Sequence, residues 1–234
     1  MIIGIMGAMR EEIEPILELV DEVSGEVDYG NNKYYKAKYN GMELVIAYSK
    51  IGKVNSALTA STMIEKFGIE MLLFSGVAGG INENLKIGDL IIATKLCQHD
   101  LDITAFGHPF GYVPESKVFV ETDEKLNKIA KNVADKLNLK LIDGVIATGD
   151  QFIANNEKKE WIKTTFNADA LEMEGASVGF VCDALGVPFF VLRAISDTAD
   201  MDAGFDFDKF LEGSAKNSAE FLIKMLEEIK WRNC

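Results

Sequence analysis

Met71-Leu72-Leu73-Phe74-Ser75, running into Gly76-Val77-Ala78-Gly79-Gly80, decides the fold. A short unbroken apolar run reads as a fully buried strand. Helical spacing precedes it over residues 54–67, and a second strand follows over 89–97. Working towards the N-terminus, strands 34–39 and 42–48 are joined by Asn40-Gly41, the residue pair of a tight hairpin turn. Residues 2–6 form the first strand. A helix follows to about residue 23, with Ile13, Ile16, Leu17 and Val20 on one face. Pro15 suits a first turn, where its missing N–H costs nothing, so the regular helix is expected to start near Glu12.

Towards the C-terminus, residues 98–118 are irregular and carry Gly107, Pro109, Gly111 and Pro114. Loops of this length usually serve function. Helix 123–138 places Leu126, Ile129, Ala130, Val133 and Leu137 at helical spacing. Strand 141–147, helix 156–166, strand 168–171, a helix from Gly175 and strand 188–195 alternate after it. A last helix over 207–230 shows Phe207, Phe210, Leu211, Phe221, Leu222, Met225 and Ile229 in a broad apolar stripe. No repeat, linker or low-complexity stretch intervenes. The pattern predicts a single α/β domain over 1–234 with a mixed sheet.

The 234 residues are 48% apolar and 26% charged, a globular composition. A net charge of −13 disfavours nucleic-acid phosphates and anionic membranes as partners. Cys97, Cys182 and Cys234 are odd in number and far apart, which suits a reducing cytoplasm and forms no disulfide framework. The sequence Met1-Ile2-Ile3-Gly4-Ile5-Met6 lacks a basic n-region, so no signal peptide is expected, and no apolar run is long enough to span a bilayer.

In open α/β sheets, ligands bind beyond the carboxyl ends of strands. Three acids stand there: Glu12 after the first strand, Glu174 after 168–171 and Asp197 after 188–195. Any one alone reads as a helix-start acid favoured by the dipole; three at convergent positions point to a site. Cys97, His99, Asp100 and Asp102 are metal-capable but lack a second ligand set, so no metal is expected. GxGxxG, GxxxxGK[ST] and GxSxG are absent, which argues against dinucleotide, P-loop and serine-hydrolase sites.

Several segments together carry a resemblance: Gly4-Ile5-Met6-Gly7-Ala8-Met9-Arg10-Glu11-Glu12, Ser49-Lys50-Ile51-Gly52-Lys53-Val54-Asn55, Gly76-Val77-Ala78-Gly79-Gly80, His99-Asp100, Thr104-Ala105-Phe106-Gly107, Thr148-Gly149-Asp150-Gln151-Phe152-Ile153, Glu172-Met173-Glu174 and Arg193-Ala194-Ile195-Ser196-Asp197. In this order, over nearly the whole chain, they resemble the bacterial 5′-methylthioadenosine/S-adenosylhomocysteine nucleosidases of the nucleoside phosphorylase superfamily. The resemblance implies a mixed sheet curled into a partial barrel with flanking helices. It further implies hydrolysis of the N-glycosidic bond without a cofactor, in methionine salvage, by a homodimer.

By that resemblance Glu12 activates water, and Asp197, steadied by Ser196, protonates adenine N7. Glu174 and Met173 hold the ribose, with Arg193 near the water and ribose. Phe152 stacks on adenine and the Ile153 backbone reads its edge. The alkylthio group lies among Met9, Ile51 and Phe207, closed by Ile103, Phe106 and Pro114 of a second subunit. Two positions depart from the family pattern. Val77 stands where a hydroxyl residue is common, and Arg10 replaces a frequent acid, with a lowered Glu12 pKa as the expectation. A helix N-terminus also favours ionised Glu12.

A purine nucleoside phosphorylase is the nearest rival, but Glu11 and Glu12 make a poor phosphate site. A non-catalytic nucleoside-binding protein has no need of the three acids together. Methylthioadenosine, S-adenosylhomocysteine, 5′-deoxyadenosine and 6-amino-6-deoxyfutalosine, which some relatives use in menaquinone synthesis, stay unranked at this level.

Overall fold

Ile3, Ile5 and Met6 have no solvent exposure in β1 (Ile2–Gly7), because a strand inside a covered sheet has no wet face for polar residues. The computed structural model describes residues 1–199 and 203–232. After β1 come α1 (Arg10–Leu19), β2 (Glu22–Tyr29), β3 (Asn32–Tyr39), β4 (Met42–Tyr48) and α2 (Lys53–Glu65). β5 (Met71–Gly80) and β6 (Leu90–Gln98) follow. A long irregular segment with one 3-10 turn at Thr104–Phe106 then leads to β7 (Phe119–Glu121), α3 (Glu124–Leu137) and β8 (Leu141–Thr148). α4 (Asn156–Phe166), β9 (Ala170–Glu172), α5 (Gly175–Leu185), β10 (Phe189–Asp197) and α6 (Ala203–Arg232) complete the order.

The sheet is mixed and curls into a barrel, as expected. β5 pairs in parallel with β10, which runs antiparallel to β6; β6 is parallel to β8, and β8 to β9. β9 returns antiparallel to β5 and closes the ring. From β5 the sheet also extends through β1 and β4 to β3 and the edge strand β2. One core packs Ile13 and Ile16 of α1, Ile129 and Val133 of α3, and Phe221 and Leu222 of α6 against the sheet. A second core packs Ala60 and Met63 of α2 with Val178 and Cys182 of α5.

Several boundaries differ from the sequence expectation. α1 starts at Arg10, so Pro15 lies inside the helix, in its second turn. It ends at Leu19, because the chain must turn there to enter β2. β2 escaped the pattern because an edge strand is wet on both faces and shows no alternation. Its signal was Gly30-Asn31, both at φ +58, the turn that joins it to β3. Asn40-Gly41 adopts the expected turn, with φ of +48 and +76. β7 is too short to show a period, and the glycine run 76–80 continues β5 rather than ending it. α6 begins at Ala203, four residues before the apolar stripe at 207 (207 − 203 = 4).

Cys97 and Cys182 are buried, and burial pushes both thiols up to about 12, which makes them inert. Cys234 lies outside the described residues. Among the described residues, no helix is long and apolar enough to cross a membrane.

The 98–118 segment is pinned where Gly111 donates its N–H to the Leu101 carbonyl at 2.8 Å. Gly111 has φ +75, and a Cβ there would lie 2.8 Å from the Phe166 ring and 3.0 Å from the Gln98 carbonyl. Gly107 has φ +82 and open space around it. Gly107→Ala should therefore cost about 1 kcal/mol for the left-handed backbone alone. Gly111→Ala should cost roughly 1–3 kcal/mol more, from overpacking. Denaturant titration of both variants checks this; equal costs would show that the Phe166 contact gives way freely.

Candidate active site

The barrel opens at the carboxyl ends of β1, β5 and β10 into a cavity of about 530 Å³. Ala8 and Met9 line it just past β1, Val77 and Gly79 from the end of β5, and Ser196 and Asp197 from the end of β10. Met173 and Glu174, between β9 and α5, form another wall. Each strand thus delivers its last residues to one place, as the position of ligand sites in such sheets requires.

Glu12 is the third residue of α1 and reaches back to accept the N–H groups of Ala8 at 2.5 Å and Met9 at 2.9 Å. The helix-start acid and the pocket acid are therefore the same residue. Its other oxygen accepts the Val77 N–H at 2.9 Å. This cradle requires Gly76, where a Cβ would lie 2.5 Å from Glu12 Oε1. Glu12 is 2% exposed, and this burial raises its pKa above the ordinary carboxylate value. The Arg193 charge and the backbone N–H groups oppose the rise without cancelling it. The expectation of a Glu12 lowered by Arg10 is corrected: Arg10 pairs with Glu14 at 2.6 Å on the surface, and Arg193 is the cation that acts on Glu12.

Asp197 ends β10 beyond a bulge that shifts its pairing with β5. Bulges of this kind re-aim a side chain. Its Oδ2 accepts the Ser196 hydroxyl at 2.9 Å, and its Oδ1 accepts the Ala199 N–H at 2.9 Å. Gly79 leaves room for it, since a Cβ there would lie 2.7 Å from Oδ1.

Glu174 is the N-cap residue of α5 and accepts the Gly52 N–H at 2.9 Å. Burial, followed by the nearby Glu172 charge, pushes its pKa up to about 8. Glu172 accepts the N–H groups of Glu174 at 3.1 Å and Gly175 at 2.6 Å, together with the Thr148 hydroxyl. It also pairs with Arg193 at 2.7 Å.

Arg193 is 1% exposed and is not among the cavity-lining residues, although its charge acts on Glu12. It stands behind Glu172, donates to the Leu192 carbonyl at 3.0 Å and lies 4.0 Å above the Phe74 ring. A guanidinium this deep is committed to its carboxylate and carbonyls.

Met9, Ile51, Phe152, Ile153, Met173 and Phe207 all line the cavity. The Phe152 and Phe207 rings meet edge to face at 5.8 Å. Ile103, Phe106 and Pro114 do not line the cavity of their own chain, and Phe106 is 82% exposed. Sequence reasoning missed Gln151, Leu171, Ala199 and Asp208 in the wall. It also missed Gly76 and Gly79 as the residues that make room for the acids. Their signal was two glycines three apart at the end of a buried strand (79 − 76 = 3); Asp208 had none.

Among the described residues, no group of His, Cys, Asp and Glu is placed to hold a metal ion. Asp100 is paired with Lys53 at 2.7 Å, and Asp102 accepts the Thr104 N–H at 2.9 Å. Burial lowers the His99 pKa to about 4.

Glu174→Gln replaces a buried titratable group with a neutral one of the same shape and keeps an oxygen for the Gly52 N–H. The folded-state pKa of Glu174 is raised, so wild-type stability falls as pH climbs from the unfolded value, roughly 4.3, to about 8. The thermal midpoint of Glu174→Gln should exceed that of wild type by a margin that widens over this window and then levels. A margin independent of pH would show that Glu174 is not held neutral in the fold.

A family model described as the phosphorylase superfamily matches residues 2–227. The chain is 60% identical over 227 residues to the aminodeoxyfutalosine nucleosidase of Campylobacter jejuni subsp. jejuni serotype O:2, covering 97% of this chain and 99% of that one. It is 39% identical over 229 residues to the 5′-methylthioadenosine/S-adenosylhomocysteine nucleosidase of Actinobacillus succinogenes, again covering 97% and 99%. A crystal structure of the Helicobacter pylori 5′-methylthioadenosine/S-adenosylhomocysteine nucleosidase matches with a TM-score of 0.96 at 54% identity, covering 97% and 98% of the two chains. That enzyme is complexed with a pyrrolopyrimidine joined to a pyrrolidinol that bears a prop-2-yn-1-ylthio group. On fold, sequence and length alike, this chain belongs to the phosphorylase superfamily and, within it, to the nucleosidases, the enzymes that hydrolyse N-glycosidic bonds.

Proposed function

We propose that the chain hydrolyses the N-glycosidic bond of 5′-substituted adenine nucleosides, releasing adenine and the 5-substituted ribose. The observation that carries this reading is the convergence of Glu12, Glu174 and Asp197 on one cavity, with two of them held in backbone cradles. Methylthioadenosine and S-adenosylhomocysteine are substrates in this reading. A second substrate, 6-amino-6-deoxyfutalosine, is favoured by the 60% identity to an aminodeoxyfutalosine nucleosidase, against 39% to the Actinobacillus enzyme. Methionine salvage and the futalosine route are then both open to the same active site. The buried free thiols of Cys97 and Cys182 suit a reducing cytoplasm.

Breaking the bond between C1′ and N9 places positive charge on the ribose and negative charge on adenine. Asp197 donates a proton to N7 as the base departs, and Ser196 fixes the carboxyl for that transfer. Water adds its oxygen to C1′ and gives a proton to Glu12. Three of the roughly four acceptor sites on Glu12 are taken by N–H groups, which leaves one on Oε1 for that water. A base raised by burial is better matched to its task than a free carboxylate. Glu174 binds the ribose hydroxyls beside Met173, and Phe152 and the Ile153 backbone hold adenine. Met9, Ile51 and Phe207 surround the 5′ substituent. Among the described residues, acids line the cavity and no Lys or Arg does, which argues against phosphate as the nucleophile.

Adenine release should be unchanged by added phosphate for all four nucleosides, and a ribose-1-phosphate product would sink the reading. On a good substrate, Asp197→Asn and Glu12→Gln should each lower kcat at least ~10²-fold, with smaller changes in KM. On an analogue whose base leaves without protonation, the Asp197→Asn deficit should shrink and the Glu12→Gln deficit persist. Equal rescue of both would show the roles to be misassigned.

The homodimer of this reading places Ile103, Phe106 and Pro114 in the partner's pocket. The exposure of Phe106 supports it, together with that of Ile51, just before α2, and of Val54 and Leu58 in its first two turns. Exposed apolar groups in one region mark an interaction surface. Sedimentation at assay concentration should give a dimer; a fully active monomer would contradict it.

A further inference from the structure

Three segments meet beside the cavity: the start of α2, the residues after β6 and the residues after β8. Gly52, at φ +99, is the N-cap residue of α2 and has no side chain with which to cap it. Two carboxylates from distant parts of the chain serve instead. Glu174 accepts the Gly52 N–H at 2.9 Å, and Asp150 accepts the Lys53 N–H at 2.8 Å. Asp150 is itself tethered, since its N–H donates to Asp100 Oδ2 at 2.8 Å. Asp100 Oδ1 pairs with Lys53 Nζ at 2.7 Å, and both of these side chains are largely buried. The ring closes on itself, from the Lys53 backbone through Asp150 and Asp100 to the Lys53 ammonium.

The ring is built without slack. A Cβ on Gly52 would lie 3.0 Å from Asp150 Oδ1, and one on Gly149 would lie 2.4 Å from the buried His99 ring. Exposed ion pairs are worth little and tolerate poor geometry. Here one ammonium, two carboxylates and two backbone N–H groups are matched across three segments, and none of Lys53, Asp100 and Asp150 lines the cavity. What the ring does hold is the Ile51-Gly52 backbone. Ile51 lines the cavity, and Gly52 gives its N–H to Glu174.

We propose that Lys53, Asp100 and Asp150 are positioning residues for the nucleoside, acting through the Gly52 N–H on the orientation of Glu174. The inference rests on the reading of Glu174 as the ribose-binding group. Glu174 sits near the Glu172 and Glu12 carboxylates, both of which disfavour its charge. The Gly52 N–H is the dipole that offsets them. With the ring broken, that N–H wanders and Glu174 no longer presents a fixed acceptor to the sugar.

The test measures kcat and KM for methylthioadenosine. Asp150→Ala and Lys53→Met should each raise KM about tenfold with kcat within roughly threefold, the signature of lost binding that ground and transition states share. Asp150→Asn keeps an oxygen for the Lys53 N–H and should restore KM, which a general loss of stability would not predict. Combined with Glu174→Ala, which leaves the Gly52 N–H no side-chain acceptor at that position, either ring variant should add little to the KM of Glu174→Ala alone. Multiplying effects would overturn the inference and leave the Glu174 reading intact. A Glu174→Ala variant with wild-type KM would overturn that reading, and the inference with it. An unchanged KM in folded Asp150→Ala also overturns the inference. If Asp150→Ala does not fold, Lys53→Met, which keeps the apolar stem, carries the same measurements and outcomes.

Discussion

Burying a carboxylate is expensive unless hydrogen bonds replace its water. Glu12, Glu172, Glu174 and Asp197 are all buried around one cavity, and the rest of the site follows from satisfying them. Backbone N–H groups do most of this, from Ala8, Met9, Val77, Gly52, Gly175 and Ala199. Arg193 supplies the buried cation, and it goes to Glu172 rather than to the acids assigned to chemistry. That choice leaves Glu12 and Glu174 incompletely compensated and their pKa values raised. A fully neutralised acid would be more stable and less suited to the role of base proposed for Glu12.

The barrel follows from the same demand. N–H groups are free to meet a side chain where strand pairing ends, and the closed ring of β5, β10, β6, β8 and β9 gathers strand ends at one mouth. β5 tolerates Gly76 and Gly79 because carboxylate oxygens occupy the space their side chains would fill. A glycine inside a strand ordinarily weakens it. Here the vacancy is where the acids sit. The bulge in β10 serves the same end by re-aiming Asp197.

Charge also sorts the chemistry within the superfamily. Phosphorolysis needs an anion beside the sugar, which calls for converging cations and free N–H groups. In this chain the N–H groups of Ala8 and Met9, just before α1, are taken by Glu12, and Arg193 is taken by Glu172. A neutral water is the nucleophile such a wall accepts. The electrostatics of the site and its proposed hydrolytic chemistry thus rest on the same few bonds.

The sequence by itself determined the α/β class, most of the elements and the three acids, because burial and periodicity are written locally. The run 71–75, the Asn40-Gly41 turn and the apolar stripes of α3 and α6 state their structure within a few residues. Beyond that, resemblance named Met9, Ile51, Phe152, Ile153, Met173 and Phe207, and it missed Gln151, Leu171, Ala199 and Asp208. Only the tertiary structure decided that β2 pairs at the edge, that Arg193 stands behind Glu172 and that Arg10 faces solvent. Likewise, only the fold brings Asp150 and Glu174 to cap α2 from about a hundred residues away. A hydrogen bond between strand ends depends on how the sheet closes, and no local period carries that information.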